Sequence, residues 1–133
     1  MRVVASSAPT DVYGGSFTGA AALSMLREAP DASAPDVALV SFPDGSVTCW
    51  HSHPGGQLIW VVSGHARVGV RGGDETLLDP GTLIEAPSGE EHWHGAAPGA
   101  DAVLLCFTWG TTAWTDEAPV DAAGRHRAGP SCC

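Results

Sequence analysis

With 133 residues, the chain has material for one buried core but not for two. Its formal net charge is −9, and its six basic residues, all arginine, are scattered at positions 2, 27, 67, 71, 125 and 127. No basic patch is available to neutralise phosphates, no apolar run reaches the roughly 18 residues of a membrane span, and the N-terminus lacks the basic-then-apolar pattern of a signal peptide; neither nucleic acid nor membrane is expected as a partner, and a cytoplasmic location is.

Residues 1–36 read as an N-terminal arm. Within it Ala20 to Glu28 fits either a short helix, from its Ala, Leu, Met, Arg and Glu content, or an edge strand ending at Pro30. From there turn signals recur every eight to twelve residues, at Pro43-Asp44-Gly45, Pro54-Gly55-Gly56, Gly72-Gly73-Asp74, Asp79-Pro80-Gly81, Pro87-Ser88-Gly89 and Pro98-Gly99. Short apolar runs at this spacing mark an antiparallel all-β sandwich or barrel. The expected strands are Val37 to Phe42, Ser46 to His53, Gln57 to Ser63, His65 to Arg71, Glu75 to Leu78, Thr82 to Ala86 and Ala102 to Trp109. In the last, Val103, Leu105, Phe107 and Trp109 make one apolar face, and Leu104, Cys106 and Thr108 the other, so both faces should be covered. The barrel is placed at 37–115, and residues 116–133, which lose apolar periodicity, read as a C-terminal extension and disordered tail. Of the four cysteines, Cys49 and Cys106 lie in strand-like runs and read as small buried thiols, while Cys132 and Cys133 fall in the tail.

Four of the six histidines fall in two clusters. The first is Trp50-His51-Ser52-His53-Pro54-Gly55-Gly56-Gln57 and the second Gly89-Glu90-Glu91-His92-Trp93-His94-Gly95. On a strand, residues i and i+2 share a face, so His51 points with His53, and His92 with His94. If the two strands face each other across a barrel, a divalent metal fits between them. Imidazoles and a neutral amide oxygen suit Mn, Fe, Co, Ni or Zn better than Ca or Mg.

These clusters resemble the two motifs of the cupin superfamily. Gly45, His51, His53, Gln57 and Gly64 match G-x5-H-x-H-x3/4-E-x6-G, and Gly81, Pro87, Gly89 and His92 match G-x5-P-x-G-x2-H, with 16 residues between Gly64 and Gly81. The resemblance implies a cupin barrel (a double-stranded β-helix or jelly roll) whose metal ligands are His51, His53, Gln57 and His92. Gln57 stands where the family usually has Glu, and Thr82 where it usually has Asp. A neutral amide in place of a carboxylate leaves the site nearer +2 than +1, which disfavours oxidation of the metal and favours Lewis-acid chemistry.

His51-x-His53-Pro54-x-Gly56-Gln57, Gly89-Glu90-x-His92-Trp93-His94-Gly95-Ala96 and Phe17-Thr18-Gly19 are similar to the small bacterial manganese cupins that include the (R)-selective hydroxynitrile lyases. That resemblance implies Mn(II), with Fe(II), Zn(II), Co(II) or Ni(II) as alternatives, and a non-ligating His94 that serves as acid/base. Because i and i+2 lie roughly 6.5 Å apart along a strand, only one of His92 and His94 reaches a metal held by the opposite wall. A neutral imidazole beside it can move a proton to and from substrate; a satisfied core histidine is the other reading of His94. The expected function is metal-dependent chemistry on a small organic molecule, in its specific form C–C cleavage of a cyanohydrin. A quercetinase-like dioxygenase, a cyclase or isomerase of natural-product biosynthesis, and a non-catalytic binding protein remain as alternatives.

Trp50, Trp60 and Trp93 alternate with inward ligands and should pack outside the barrel or at a subunit contact; the resemblance to cupins, which commonly pair through their outer strands, implies a homodimer or higher homo-oligomer. Trp109 and Trp114 could shape a pocket mouth or bury a dimer contact. Glu85, Arg67 and Arg71 are expected on solvated faces, His65 at the surface, and His126 in the tail.

Overall fold

A computed structural model describes residues 1–5 and 17–120. No helix occurs among them; these residues form ten strands. These are β1 (Ala22–Arg27), β2 (Asp36–Phe42), β3 (His51–Ser52), β4 (Gln57–Gly64), β5 (Ala66–Val70), β6 (Thr76–Leu78), β7 (Leu83–Ala86), β8 (His92–Ala96), β9 (Ala102–Thr108) and β10 (Ala113–Trp114). The segment open to helix or strand is the strand β1, paired antiparallel to β2. Cys132, Cys133 and His126 lie outside the described residues.

Two five-stranded antiparallel sheets build the barrel, in the orders β1-β2-β9-β4-β7 and β10-β3-β8-β5-β6. β9 runs through the middle of the first sheet, pairing with β2 from Asp36↔Thr108 to Phe42↔Ala102 and with β4 from Gln57↔Thr108 to Gly64↔Ala102. Alternation along it sends Ala102, Leu104 and Cys106 into the core with Phe42, Ile59 and Val61. Val103, Leu105 and Phe107, the longer apolar row, face outward and are only half-buried. Register sets Leu105, Trp60 and Leu83 side by side on this outer face of β9, β4 and β7, and Trp60, Val62 and Leu83 are 42%, 45% and 55% exposed.

The expected strand from Ser46 to His53 survives only as His51–Ser52; upstream, the chain touches its neighbours through single bridges, Phe17↔Thr48 and Val47↔Gly95. Its close approach to β8 requires a glycine there. A Cβ on Gly95 would stand 2.4 Å from the Ser46 carbonyl oxygen and 2.5 Å from Val47 Cα. In return Thr48 is locked to β8, its amide donating to the His94 carbonyl at 2.8 Å and its hydroxyl accepting from the His94 amide at 3.2 Å.

Three expectations are corrected. Trp93 is no subunit contact: it is 2% exposed and packs with Val47, Val120 and Trp50 in a second apolar cluster behind β8. Arg67 is not on a solvated face but fully buried. Its Nε donates to the Ala96 carbonyl at 2.6 Å and one terminal nitrogen to the Gly45 carbonyl at 2.9 Å, with Glu75 3.6 Å from the other. Backbone carbonyls and a carboxylate thus supply the partners that a buried guanidinium needs. Cys49 is disulfide-bonded, whereas Cys106 is a buried free thiol whose burial pushes its pKa up to about 12. Other surface readings match: Glu85 is exposed, His65 meets Asp79 at 3.1 Å in solvent, and half-exposed Arg71 pairs with Glu91 and Glu117 over the face of Trp50.

Candidate metal centre

β3 and the residue that follows it, with the inward faces of β4 and β8, bring five polar side chains into the barrel. His51, His53, Gln57, His92 and His94 are each at most 5% exposed. The two histidine clusters do not face each other across the barrel, as the sequence suggested; β3 and β8 are neighbours in one sheet, with His51 directly paired to His92. Gln57, at the start of β4, approaches from the other sheet.

One ligand atom each from His51, His53 and His92 all lie within 4.8 Å of one another, an arrangement that could hold a metal ion. The outward ring nitrogens explain which atoms turn inward. His51 Nδ1 meets the Cys49 carbonyl at 2.8 Å, and His92 Nδ1 the Glu90 carbonyl at 3.0 Å. A carbonyl can only accept, so Nδ1 carries the hydrogen in both rings and the Nε2 lone pair is left inside. His53 Nδ1 is held by the Thr112 hydroxyl at 3.0 Å. The Nε2 atoms of His51 and His53 are buried with no hydrogen-bond partner among the described residues.

Gln57 completes the set. Its Nε2 donates to the Thr108 hydroxyl at 2.9 Å, which turns Oε1 inward to 3.0 Å from His92 Nε2. With the hydrogen of a neutral His92 on Nδ1, that contact opposes two lone pairs. A cation between them relieves it and uses both lone pairs, whereas a ring proton, which burial disfavours, or a half-turn of the amide relieves it without a metal. Two ligands at right angles on an octahedral ion, each about 2.1 Å from it, stand about 3 Å apart, so the donor set fits a divalent metal.

Burial is the main cause that lowers all four imidazole pKa values. His53 falls to about 4, and His51, His92 and His94 are also lowered, the neighbouring rings adding repulsion at His51, His53 and His94. The folded protein therefore binds fewer protons than the unfolded chain below the ordinary value near 6.5. The stability gained by keeping the rings neutral is fully present above that value and is lost as pH falls toward 4. Metal-free protein should accordingly show a melting midpoint that declines steadily from pH 7 to pH 5 in scanning calorimetry; a flat profile would mean that the rings protonate without unfolding.

His94 stands apart. It is outside the three-histidine group, its ring stacks on His92 at 5.7 Å and meets the edge of Phe42 at 5.9 Å, and neither ring nitrogen has a partner among the described residues. It borders a cavity of about 50 Å³, whose walls include His51, His53, Gln57, Phe17, Val40 and Trp114. Residues not singled out for the site in the sequence complete this wall: Thr108 and Thr112, which hold Gln57 and His53, and Asp36 and Ala38 on the inward face of β2. Asp36 carried a readable signal, a lone acid in register with the buried row Ala38, Val40 and Phe42. Trp114 does shape the pocket, its ring 4.5 Å from that of His51.

The family model for the cupin domain matches residues 38–108, and the chain belongs to that family. Among characterised relatives it is similar to an (R)-mandelonitrile lyase from Granulicella tundricola, with 40% identity over 82 residues; the match covers 62% of this chain and only 63% of the relative's length. A cupin-like protein from Thermotoga maritima superposes with a TM-score of 0.74 at 30% identity, over 86% of this chain and 88% of that one. The polyketide cyclase RemF from Streptomyces resistomycificus, at 20% identity, shares the fold with a TM-score of 0.70, over 84% and 81% of the two chains.

Proposed function

We propose that this protein is a metal-dependent lyase acting on a small organic molecule, in its specific form cleaving a cyanohydrin to an aldehyde and hydrogen cyanide. His51, His53, Gln57 and His92 hold the ion, Mn(II) by preference. The observation that carries the reading is the set of inward lone pairs with one unpartnered imidazole, His94, beside it; the likeness to a mandelonitrile lyase supports the choice of reaction.

A bound divalent ion supplies positive charge that stabilises a developing negative oxygen. The remaining steps fall to the chain. His94, kept neutral by burial, accepts the proton of the substrate hydroxyl. As the carbonyl forms, the C–C electron pair departs with cyanide, and the imidazolium returns its proton to that anion, closing the balance. Phe17, Val40 and Trp114 give the chamber apolar walls around the reacting group and keep water away from the departing group. The test is cyanide release from racemic mandelonitrile by protein of measured metal content. Enantioselective release that tracks manganese supports the reading; metal-replete protein with no release above the buffer rate defeats it.

The protein works as a homodimer in this reading, with the stripe of Leu105, Trp60 and Leu83 covered by a second copy, since an exposed apolar row of this kind marks a protein contact. Trp60→Glu should halve the mass seen by sedimentation velocity while leaving the melting midpoint within a few degrees. A monomeric parent protein would overturn the assignment.

A further inference from the structure

Outside the buried chamber lies a second, wider hollow of about 530 Å³. Chamber and hollow share three wall residues, Asp36, Thr112 and Trp114, which therefore form a neck between the histidines and the surface. The inner space is small. At about 50 Å³ it takes only a few heavy atoms, since a single water needs roughly 10–15 Å³ on this measure. A substrate whose reacting group sits at the histidines must therefore run its remaining part past the neck.

Charge along that path is one-sided. Among the described residues lining chamber and hollow, the charged side chains are Asp36 and Asp31, and neither Arg nor Lys is present. Asp36 is half-buried, and its Oδ1 accepts from the Ala29 amide at 2.6 Å, so the carboxylate is fixed at the neck. Asp31 is exposed, held by Ser33, and feels the charge of Arg27, which lies outside the hollow's wall; it is the weaker of the two. An anionic group passing the neck meets an uncompensated like charge at partly screened distance, whereas a neutral or cationic group does not.

We propose that Asp36 is a specificity-determining residue that restricts this site to small molecules without a carboxylate or phosphate on the part that crosses the neck. This rests on the catalytic pocket assigned above but not on its metal or its reaction. The experiment uses two probes of similar shape, benzoate and benzyl alcohol, titrated by calorimetry into the manganese-loaded protein and, in parallel, into the metal-stripped protein. Asp36→Asn keeps the acceptor for Ala29 and removes the charge. It should tighten benzoate on the order of tenfold at low salt in both forms, shift benzyl alcohol less than about twofold, and lose most of the benzoate gain in about 0.5 M salt. Thr111→Lys, a surface change in the hollow's wall, should favour benzoate in the same direction and serves if the first variant fails to fold. Benzoate affinity unmoved by both variants, equal shifts of the two probes, or no binding of either probe would overturn the proposal. Failure of the metal reading shows separately, as protein that takes up no manganese while the benzoate ratio still changes.

Discussion

Replacing His51 by alanine should reduce manganese from about one ion per chain to background after dialysis, as read by elemental analysis. The side chain is tightly framed: it is 1% exposed, its Nδ1 is fixed by the Cys49 carbonyl, and the tilted ring of Trp114 lies beside it. Removing it deletes a lone pair that nothing nearby can replace. The loss should exceed the 10–100-fold in affinity that disturbing an outer partner costs, and Thr108→Val, which frees only the Gln57 amide, should fall within that outer range. The pair of variants separates ligand from support. Unchanged manganese in His51→Ala would remove the metal centre from this pocket altogether.

His94→Ala should leave manganese content intact and lower cyanide release by a factor of about 10² to 10⁴, the usual contribution of a positioned acid/base group. Geometry dictates this split between binding and turnover. His94 lies two residues past His92 and outside the three-histidine group, yet it is buried against the same cavity with neither ring nitrogen bonded among the described residues. Its removal costs some packing against Phe42 as well, so melting should fall modestly while metal stays. Loss of metal together with activity would make His94 a ligand; full activity without it would make it a core residue and nothing more.

The barrel and its polar centre were largely legible in the sequence, because alternation and Gly/Pro punctuation are local signals that survive folding. Gln57, His92 and their neighbours could be placed on inward faces by counting in twos. What counting could not supply was the partner of each strand. His51 and His92 lie side by side, not opposed, since sheet order depends on long-range pairing. Arg67 looked like a solvated residue from its spacing, but it caps the carbonyls of Gly45 and Ala96, which are remote in sequence. Thr108 could be placed on its strand face, but its bond to Gln57, like that of Thr112 to His53, was invisible for the same reason: a threonine acquires meaning only from the side chain that it happens to meet. The two-residue β10 lacks enough length to show any period at all.

The chamber draws Asp36, Ala38 and Val40 from β2 and Leu23 and Met25 from β1, whereas the candidate ligands and His94 all follow from residue 51 onward. The two groups of residues thus occupy separate stretches of the chain; β9 links β2 by hydrogen bonds to the strand of Gln57, while His51, His92 and His94 sit in the other sheet. For inheritance this means that the first third of the molecule can vary, or be exchanged with that of a relative, and alter which molecules are admitted without disturbing the reactive centre. A lineage built this way can try new substrates one strand at a time.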